Sequence, residues 1–263
     1  MLFTFIQHDI IWEEKAANHR HVDEMVARAS VPAGAFVVLP ELGDTGFSFH
    51  LDRIIDDLTL PWASNVARRY GIWLQAGFAR RGEDGRGRNC SAIVAPDGSV
   101  QSIYEKIHPF SFGREIEHYG PGTHLSRVRA AEAVVTPFIC YDLRFPELFR
   151  LAAMGGAEVF TIGASWPAPR QHHWRALMIA RAIENQAFVV GVNRVGRDPT
   201  LEYAGGSIIV GPGGEVLAEA GERESVMTVD LDLAGLRAWR VRFPALCDIQ
   251  ASDLGSRPWE ATR

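Results

Sequence analysis

An α/β fold built on mixed β-sheet is the class this chain predicts, and three observations carry the prediction. Short, continuous apolar runs rich in β-branched and aromatic residues recur along the chain, segments with apolar residues every three or four positions lie between them, and Pro/Gly turns join two pairs of runs as hairpins. Continuous apolar runs mark strands covered on both faces, and strands interleaved with helices mark layers around one core. With 263 residues, 47% hydrophobic and 22% charged, the composition excludes a disordered or fibrous chain and fits one domain over residues 1–263.

Taken in order, the first strand is expected over 2–6 and a helix over 16–29. A strand over 35–39 runs into Pro40, a helix is expected over 54–70, and a strand over 72–78 follows. Residues 80–88, arginines broken by glycine and aspartate, read as a solvated loop. Pro96-Asp97-Gly98 turns the strand at 91–95 into the one at 100–104. After a strand over 133–139, Pro146 sits where a helix over 146–154 would start, since its missing N–H costs nothing there. Strands over 159–162 and 188–193 bracket a helix over 172–187. Pro212-Gly213-Gly214 joins 207–210 to 216–218, and 225–229 closes the set. No linker or internal repeat divides the chain.

The balance of 27 Lys+Arg against 32 Asp+Glu gives a net charge of -5, which argues against nucleic acid and anionic membrane as partners and toward a small molecule. Three widely spaced cysteines make neither a disulfide framework nor a zinc motif, which points to a reducing compartment. His8 and Asp9 interrupt the first apolar run before it reaches signal-peptide length, and no run approaches the roughly 18–20 residues of a membrane span. A soluble, cytoplasmic protein is expected.

Three segments carry candidate chemistry. In Phe138-Ile139-Cys140-Tyr141-Asp142-Leu143-Arg144-Phe145-Pro146 a strand ends at a thiol and a helix begins within six residues. Such a turn aims backbone N–H groups and a helix N-terminus at what binds there, a setting that favours thiolate over thiol. A small buried hydrophobe capping the strand is the competing reading of Cys140. In Leu39-Pro40-Glu41-Leu42-Gly43-Asp44 a carboxylate stands at a strand end, where a general base could act; a solvated loop glutamate is the alternative, and Asp44 reads as a turn residue. Lys106 follows a strand and precedes an aromatic- and glycine-rich loop, either as an oxyanion partner or as a solvated charge.

Cys, Glu and Lys at three strand ends resemble the nitrilase superfamily of carbon–nitrogen hydrolases. The stretches that match are Leu39-Pro40-Glu41 with Thr45-Gly46-Phe47, Tyr104-Glu105-Lys106-Ile107-His108, the segment from Cys140 to Glu147, Ala164-Ser165-Trp166-Pro167, His173 to Leu177, Arg181 to Ala187 and Asn193-Arg194-Val195-Gly196, covering nearly the whole chain. The resemblance implies a four-layer αββα sandwich, no metal or other cofactor, and homodimers. It further implies Glu41, Lys106 and Cys140 as catalytic residues, with the Tyr141 backbone N–H on the oxyanion and Glu115 as the family's second glutamate. Within the superfamily the chain looks most like ω-amidases, which act on short dicarboxylate monoamides such as 2-oxoglutaramate. Their substrate carboxylate needs a partner, for which Arg144, Trp166, Arg170 and Arg194 are candidates. Pro109 and Gly43-Asp44 depart from the usual pattern beside the expected site.

Other readings stay open at this point. A deaminated-glutathione amidase or an N-carbamoyl amino acid hydrolase would share the same triad. A metal-dependent hydrolase would use His108, Glu115, His118, His172 and His173, although the neighbouring His172 and His173 point to different sides of a helix. A non-catalytic scaffold would be expected to have lost one member of the triad.

Overall fold

The computed structural model describes residues 1–250. β1 (Leu2–Gln7) leads into α1 (Lys15–Arg28), β2 (Phe36–Val38), the single-turn α2 (Leu51–Ile54), α3 (Thr59–Tyr70), β3 (Trp73–Arg81), β4 (Gly87–Val94) and β5 (Val100–Glu105). The short α4 (Glu115–His118) precedes β6 (Val128–Ala130), β7 (Ala133–Ile139), α5 (Pro146–Met154), β8 (Val159–Ala164), α6 (Gln171–Asn185) and β9 (Phe188–Asn193). A small hairpin of β10 (Val195–Arg197) and β11 (Glu202–Ala204) is followed by β12 (Ile208–Val210), β13 (Val216–Glu219), β14 (Ser225–Asp230) and α7 (Leu233–Arg242).

Two six-stranded sheets form, in the orders β14-β1-β2-β3-β4-β5 and β13-β12-β9-β8-β7-β6. Each has a parallel centre, β1-β2-β3 or β9-β8-β7, with antiparallel strands on both sides. The period of two along a strand sends alternate side chains to opposite faces. Phe3, Phe5, Phe36 and Val38 of the first sheet thereby meet Val135, Val159, Val190 and Val192 of the second. On the outer face of the first sheet, Ile6, Val37 and Leu74 pack on α1 and α3 through Val22, Val26, Ala63 and Val66. Outside the second sheet, Phe138, Phe160 and Val189 pack on α5 and α6 through Phe149, Trp174 and Met178. These are the layers of an αββα sandwich. Each large apolar side chain buried in it contributes about 1.5–3 kcal/mol, and the double coverage explains why the strands read as unbroken apolar runs.

Two expected elements differ. The helix expected over 54–70 begins only at Thr59, as α3, with Ile54 ending α2; between them the Asp56 carboxylate accepts from the Leu58 N–H at 3.0 Å and from Lys15 Nζ at 2.6 Å, offering the backbone a turn in place of helix. The loop expected over 80–88 is shorter, residues 82–86, because its two ends belong to strands: Arg80 pairs with Arg88 across β3 and β4, and both face carboxylates, Arg80 on Glu105 at 2.5 Å and Arg88 on Asp84 at 3.0 Å. The arginines signalled an exposed sheet face. Strands as short as β6, β10 and β11 are too brief to show a period.

His8, directly after β1, is fully buried with Nε2 at 3.1 Å from the Gly43 carbonyl, and burial pushes its pKa down from 6.5 to about 4. The folded state therefore prefers neutral His8, and its contribution is complete above the ordinary value of 6.5 and is lost as pH falls toward 4. Urea unfolding at pH 7 and pH 4 is expected to show a loss of about 3 kcal/mol from this group, and a His8→Asn variant should lack that part of the slope.

Candidate active site

β2, β7 and β8 deliver the chain to one edge of the sandwich, the carboxyl ends of the parallel strands, where open α/β sheets bind ligands. The turn after β2 is gripped from both sheets. A Cβ on Gly77 of β3 would come within 2.5 Å of the Pro40 carbonyl and 2.7 Å of the Leu42 nitrogen, and one on Gly163 of β8 within 2.8 Å of the Leu39 carbonyl. Only glycine permits this approach, so the Glu41 backbone is wedged between the sheets. A Gly77→Ala variant is expected to push Glu41 aside and lower kcat by about 10²-fold, the cost of roughly 1 Å of misplacement, and steady-state kinetics on soluble variant protein checks this.

Glu41 is 2% exposed and its carboxylate is held on both oxygens. Oε1 accepts from Lys106 Nζ at 2.7 Å and from Asn89 Nδ2 at 2.7 Å, while Oε2 accepts from the Ser165 backbone N–H at 2.9 Å. Lys106, delivered by the end of β5, also donates to Glu115 Oε2 at 2.8 Å. Glu115 Oε1 accepts from Asn89 at 2.9 Å, and Oε2 from the Phe110 N–H at 2.6 Å. Burial works against the Lys106 ammonium, but Glu115 and Glu41 outweigh it and hold its pKa well above the ordinary lysine value. Burial raises that of the Glu115 carboxyl, with Lys106 opposing.

Cys140 is the first residue of a 3-10 turn running to Arg144, with Pro146 opening α5, and it stands at φ +44°. A non-glycine residue in this left-handed region costs about 1–2 kcal/mol, and the turn is held against that cost by Asp142. The buried Asp142 carboxylate accepts from the Tyr104 hydroxyl at 2.8 Å, the His108 N–H at 2.9 Å and the Ile139 N–H at 3.2 Å. The turn was expected to favour thiolate, but the surroundings work the other way: burial first, and the Glu41 carboxylate second, raise the thiol's pKa well above its ordinary value, with Lys106 only partly opposing. Cys140, Glu41 and Lys106 line one cavity of about 540 Å³, walled by Phe47, Phe110, Tyr141 and Trp166.

The sequence profile of the carbon-nitrogen hydrolase family matches residues 3–241. The chain belongs to this family. A 2-oxoglutaramate amidase of Bacillus subtilis is 33% identical over 93% of this chain and 96% of its own, and the omega-amidase YafV of Escherichia coli K12 is 34% identical over 93% and 95%. Among solved structures, a CN-hydrolase superfamily protein of Xanthomonas campestris with an arsenic adduct in its active site superposes with a TM-score of 0.88 at 31% identity, covering 95% of this chain and 97% of that one. A mutant amidase from Nesterenkonia sp. AN1, in which acrylamide has added to the active site cysteine, superposes with a TM-score of 0.81 at 25% identity over 93% and 98%. The chain is an ω-amidase-like carbon–nitrogen hydrolase.

The remaining residues singled out in this hydrolase fall into two groups. Arg144 lies over the Trp166 ring at 4.7 Å, Arg170 over Phe110 at 5.5 Å, and all four residues line the cavity. Among the described residues neither arginine pairs with a carboxylate. Arg194 is not among the residues lining the cavity: its guanidinium is buried against the carbonyls of Val195, Ile10 and Arg197, the Asp9 carboxylate and the face of Tyr203, where it braces the fold. Glu115 sits behind Lys106, outside the cavity lining. Asp44, expected as a turn residue, is also a buried acid bound by Thr59 at 2.6 Å. The histidines weighed as metal ligands do not gather into one site: His108 stacks on Phe145 and His118 on Phe49, while His172 and His173, expected on different sides of a helix, bring their rings to 4.1 Å from each other; among the described residues no group of three His, Cys, Asp or Glu could hold a metal.

Asn89 went unnoticed in the sequence, and Ser165 stood only within a matching stretch, with no role in the site. Asn89 lay between an expected loop and an expected strand, and the signal that marks it is a polar amide inside a buried strand. Gly77 and Gly163 carried a signal too, as lone glycines within apolar runs.

Proposed function

We propose that this hydrolase removes the terminal amide of a short dicarboxylate monoamide such as 2-oxoglutaramate, releasing ammonia and the dicarboxylate. What carries the reading is the pair of guanidinium groups, Arg144 and Arg170, without carboxylate partners in the same cavity as Cys140, Glu41 and Lys106. They suit a substrate carboxylate distant from the amide, and Trp166 fixes the plane of Arg144. The similarity to a 2-oxoglutaramate amidase and to YafV supports the same class.

In the proposed cycle Glu41 takes the thiol proton and the thiolate attacks the amide carbon. Lys106 and the Tyr141 backbone N–H stabilise the oxyanion. The C–N bond breaks as Glu41 returns the proton to nitrogen, ammonia leaves, and a thioester remains on Cys140. Glu41 then takes a proton from water, the hydroxide attacks the thioester, and the C–S bond breaks as sulfur recovers its proton. Glu115 keeps Lys106 charged and in place.

The test is ammonia release from 2-oxoglutaramate, deaminated glutathione, N-carbamoyl amino acids and simple nitriles. 2-Oxoglutaramate is expected to show the highest kcat/KM, and an Arg144→Ala or Arg170→Ala variant to raise KM with kcat less affected. Highest turnover of deaminated glutathione would favour the second reading, which the cavity volume of about 540 Å³, within the range for larger ligands, also suits.

The same proposal takes residues 1–263 as one hydrolase domain in a reducing cytoplasm, consistent with the free thiols of Cys90, Cys140 and Cys247. It also takes the enzyme as a homodimer, supported by Leu151 and Met154 of α5 and Ile183 of α6, which are exposed apolar side chains. Sedimentation should give twice the chain mass.

A further inference from the structure

Asn89 is buried inside β4, yet its side chain, like that of Lys106, bonds both Glu41 and Glu115. Its single amide nitrogen donates to Glu41 Oε1 at 2.7 Å and to Glu115 Oε1 at 2.9 Å. Lys106 Nζ bridges the same two carboxylates at 2.7 Å and 2.8 Å. The two bridges close a ring in which each glutamate is held from both sides, by a cation and by a neutral donor. Asn89 and Lys106 are also tied through the backbone, the Lys106 N–H donating to the Asn89 carbonyl at 2.8 Å.

The amide orientation follows from its surroundings. Turned over, Oδ1 would face two carboxylates. As placed, Nδ2 faces both and Oδ1 is buried without a hydrogen-bond partner among the described residues. An orphaned buried oxygen is unfavourable, and it is tolerated because the two carboxylates demand donors.

The charge count explains what the donors do. One ammonium faces two buried carboxylates, so the second negative charge has no cation, and like charges this close favour protonation of one carboxyl. A protonated Glu41 cannot accept the Cys140 proton. A second cation would neutralise the cluster but would also stabilise thiolate and compete for the oxyanion. An amide supplies hydrogen bonds to the charged forms and adds no charge.

We propose that Asn89 is a positioning residue for amide hydrolysis: its two N–H groups hold Glu41 and Glu115 apart and ionised about Lys106, so that Glu41 is free to act as base at neutral pH. This rests on the reading of Glu41 as the base toward Cys140. The ionisable groups around the ring are Glu41 after β2, Lys106 after β5, Glu115 on α4 and Cys140 after β7, with Tyr119 behind Glu115, Tyr203 on β11 and Asp44 beyond them. Burial keeps both tyrosines above their ordinary range and neutral through the pH span of the test.

The test follows two readouts across pH 5–9 for the unaltered enzyme and for Asn89→Ser, Asn89→Ala and Asn89→Asp: ammonia release, and alkylation of Cys140 by iodoacetamide read as mass gain. Alkylation needs no substrate, so a wrong choice of amide cannot be mistaken for failure of this proposal. Loss of donors to a charged carboxylate favours its protonated form, so the acidic limb must move to higher pH. The expected order of displacement is Ser, then Ala, then Asp, with the near-isosteric Asp variant moved by more than one pH unit. At pH 6 its Cys140 alkylation is expected to be at least tenfold slower than that of the unaltered enzyme, with the two rates converging near pH 9. An acidic limb unchanged in folded Ala and Asp variants, or a rate lowered equally at every pH, would overturn the proposal.

Discussion

Cys140→Ala is expected to abolish ammonia release, by a factor on the order of 10⁵–10⁶ in kcat, while leaving the fold intact. The size of the effect follows from the chemistry. Without sulfur no covalent intermediate forms, and Glu41 with Lys106 can at most assist attack by water. The fold should survive because the 140–144 turn is anchored by the Asp142 hydrogen bonds and by Pro146, none of which uses the sulfur. Cys90→Ala and Cys247→Ala are the controls. Cys90 is sealed in the sheet with its pKa raised to about 12 by burial, and Cys247 is exposed beyond α7, so both variants should keep full kcat. A melting curve beside the ammonia assay separates lost chemistry from lost structure.

Lys106→Met is expected to be the most damaging change to stability as well as to rate. It leaves Glu41 and Glu115, whose side chains are 0% exposed, facing each other without a cation. Removing one partner from a buried ion pair costs about 3–5 kcal/mol. The folded variant can relieve this by binding a proton that the unfolded chain does not hold. Its stability should therefore fall as pH rises, by about 1.4 kcal/mol per unit between the ordinary carboxylate range and the raised value in the variant. Urea unfolding at pH 6 and pH 8 reads this slope directly, and equal stability at both would show that the cluster carries no such strain. Loss of the oxyanion donor adds about 10²–10³ in kcat.

Much of this molecule was legible from residue patterns because its strands are covered twice. Runs such as Phe36–Val38 and Phe188–Asn193 are continuous for that reason, and the site residues sit where those runs stop. Glu41, Lys106 and Cys140 could be picked out from strand ends and from their resemblance to a known triad, and they line one cavity. Other features were hidden by their context. Arg194 looked like a ligand-facing cation, but charge in a sequence does not reveal which carbonyls surround it. Asn89 was masked by neighbouring arginines whose exposed face resembles a loop. The raised pKa of the Cys140 thiol comes from burial that only packing produces and from Glu41, distant in sequence. A helix N-terminus alone suggested the opposite ionisation.

The central claim is that Cys140 forms a thioester with the acyl group of its amide substrate. Acid quenching of the enzyme during turnover of 2-oxoglutaramate, followed by peptide mass spectrometry, tests it most directly. The account predicts the mass of the acyl group on the Cys140 peptide, its disappearance as substrate is exhausted, and its absence from Cys90 and Cys247. Ammonia release at full rate with Cys140 unmodified at every time point would contradict it.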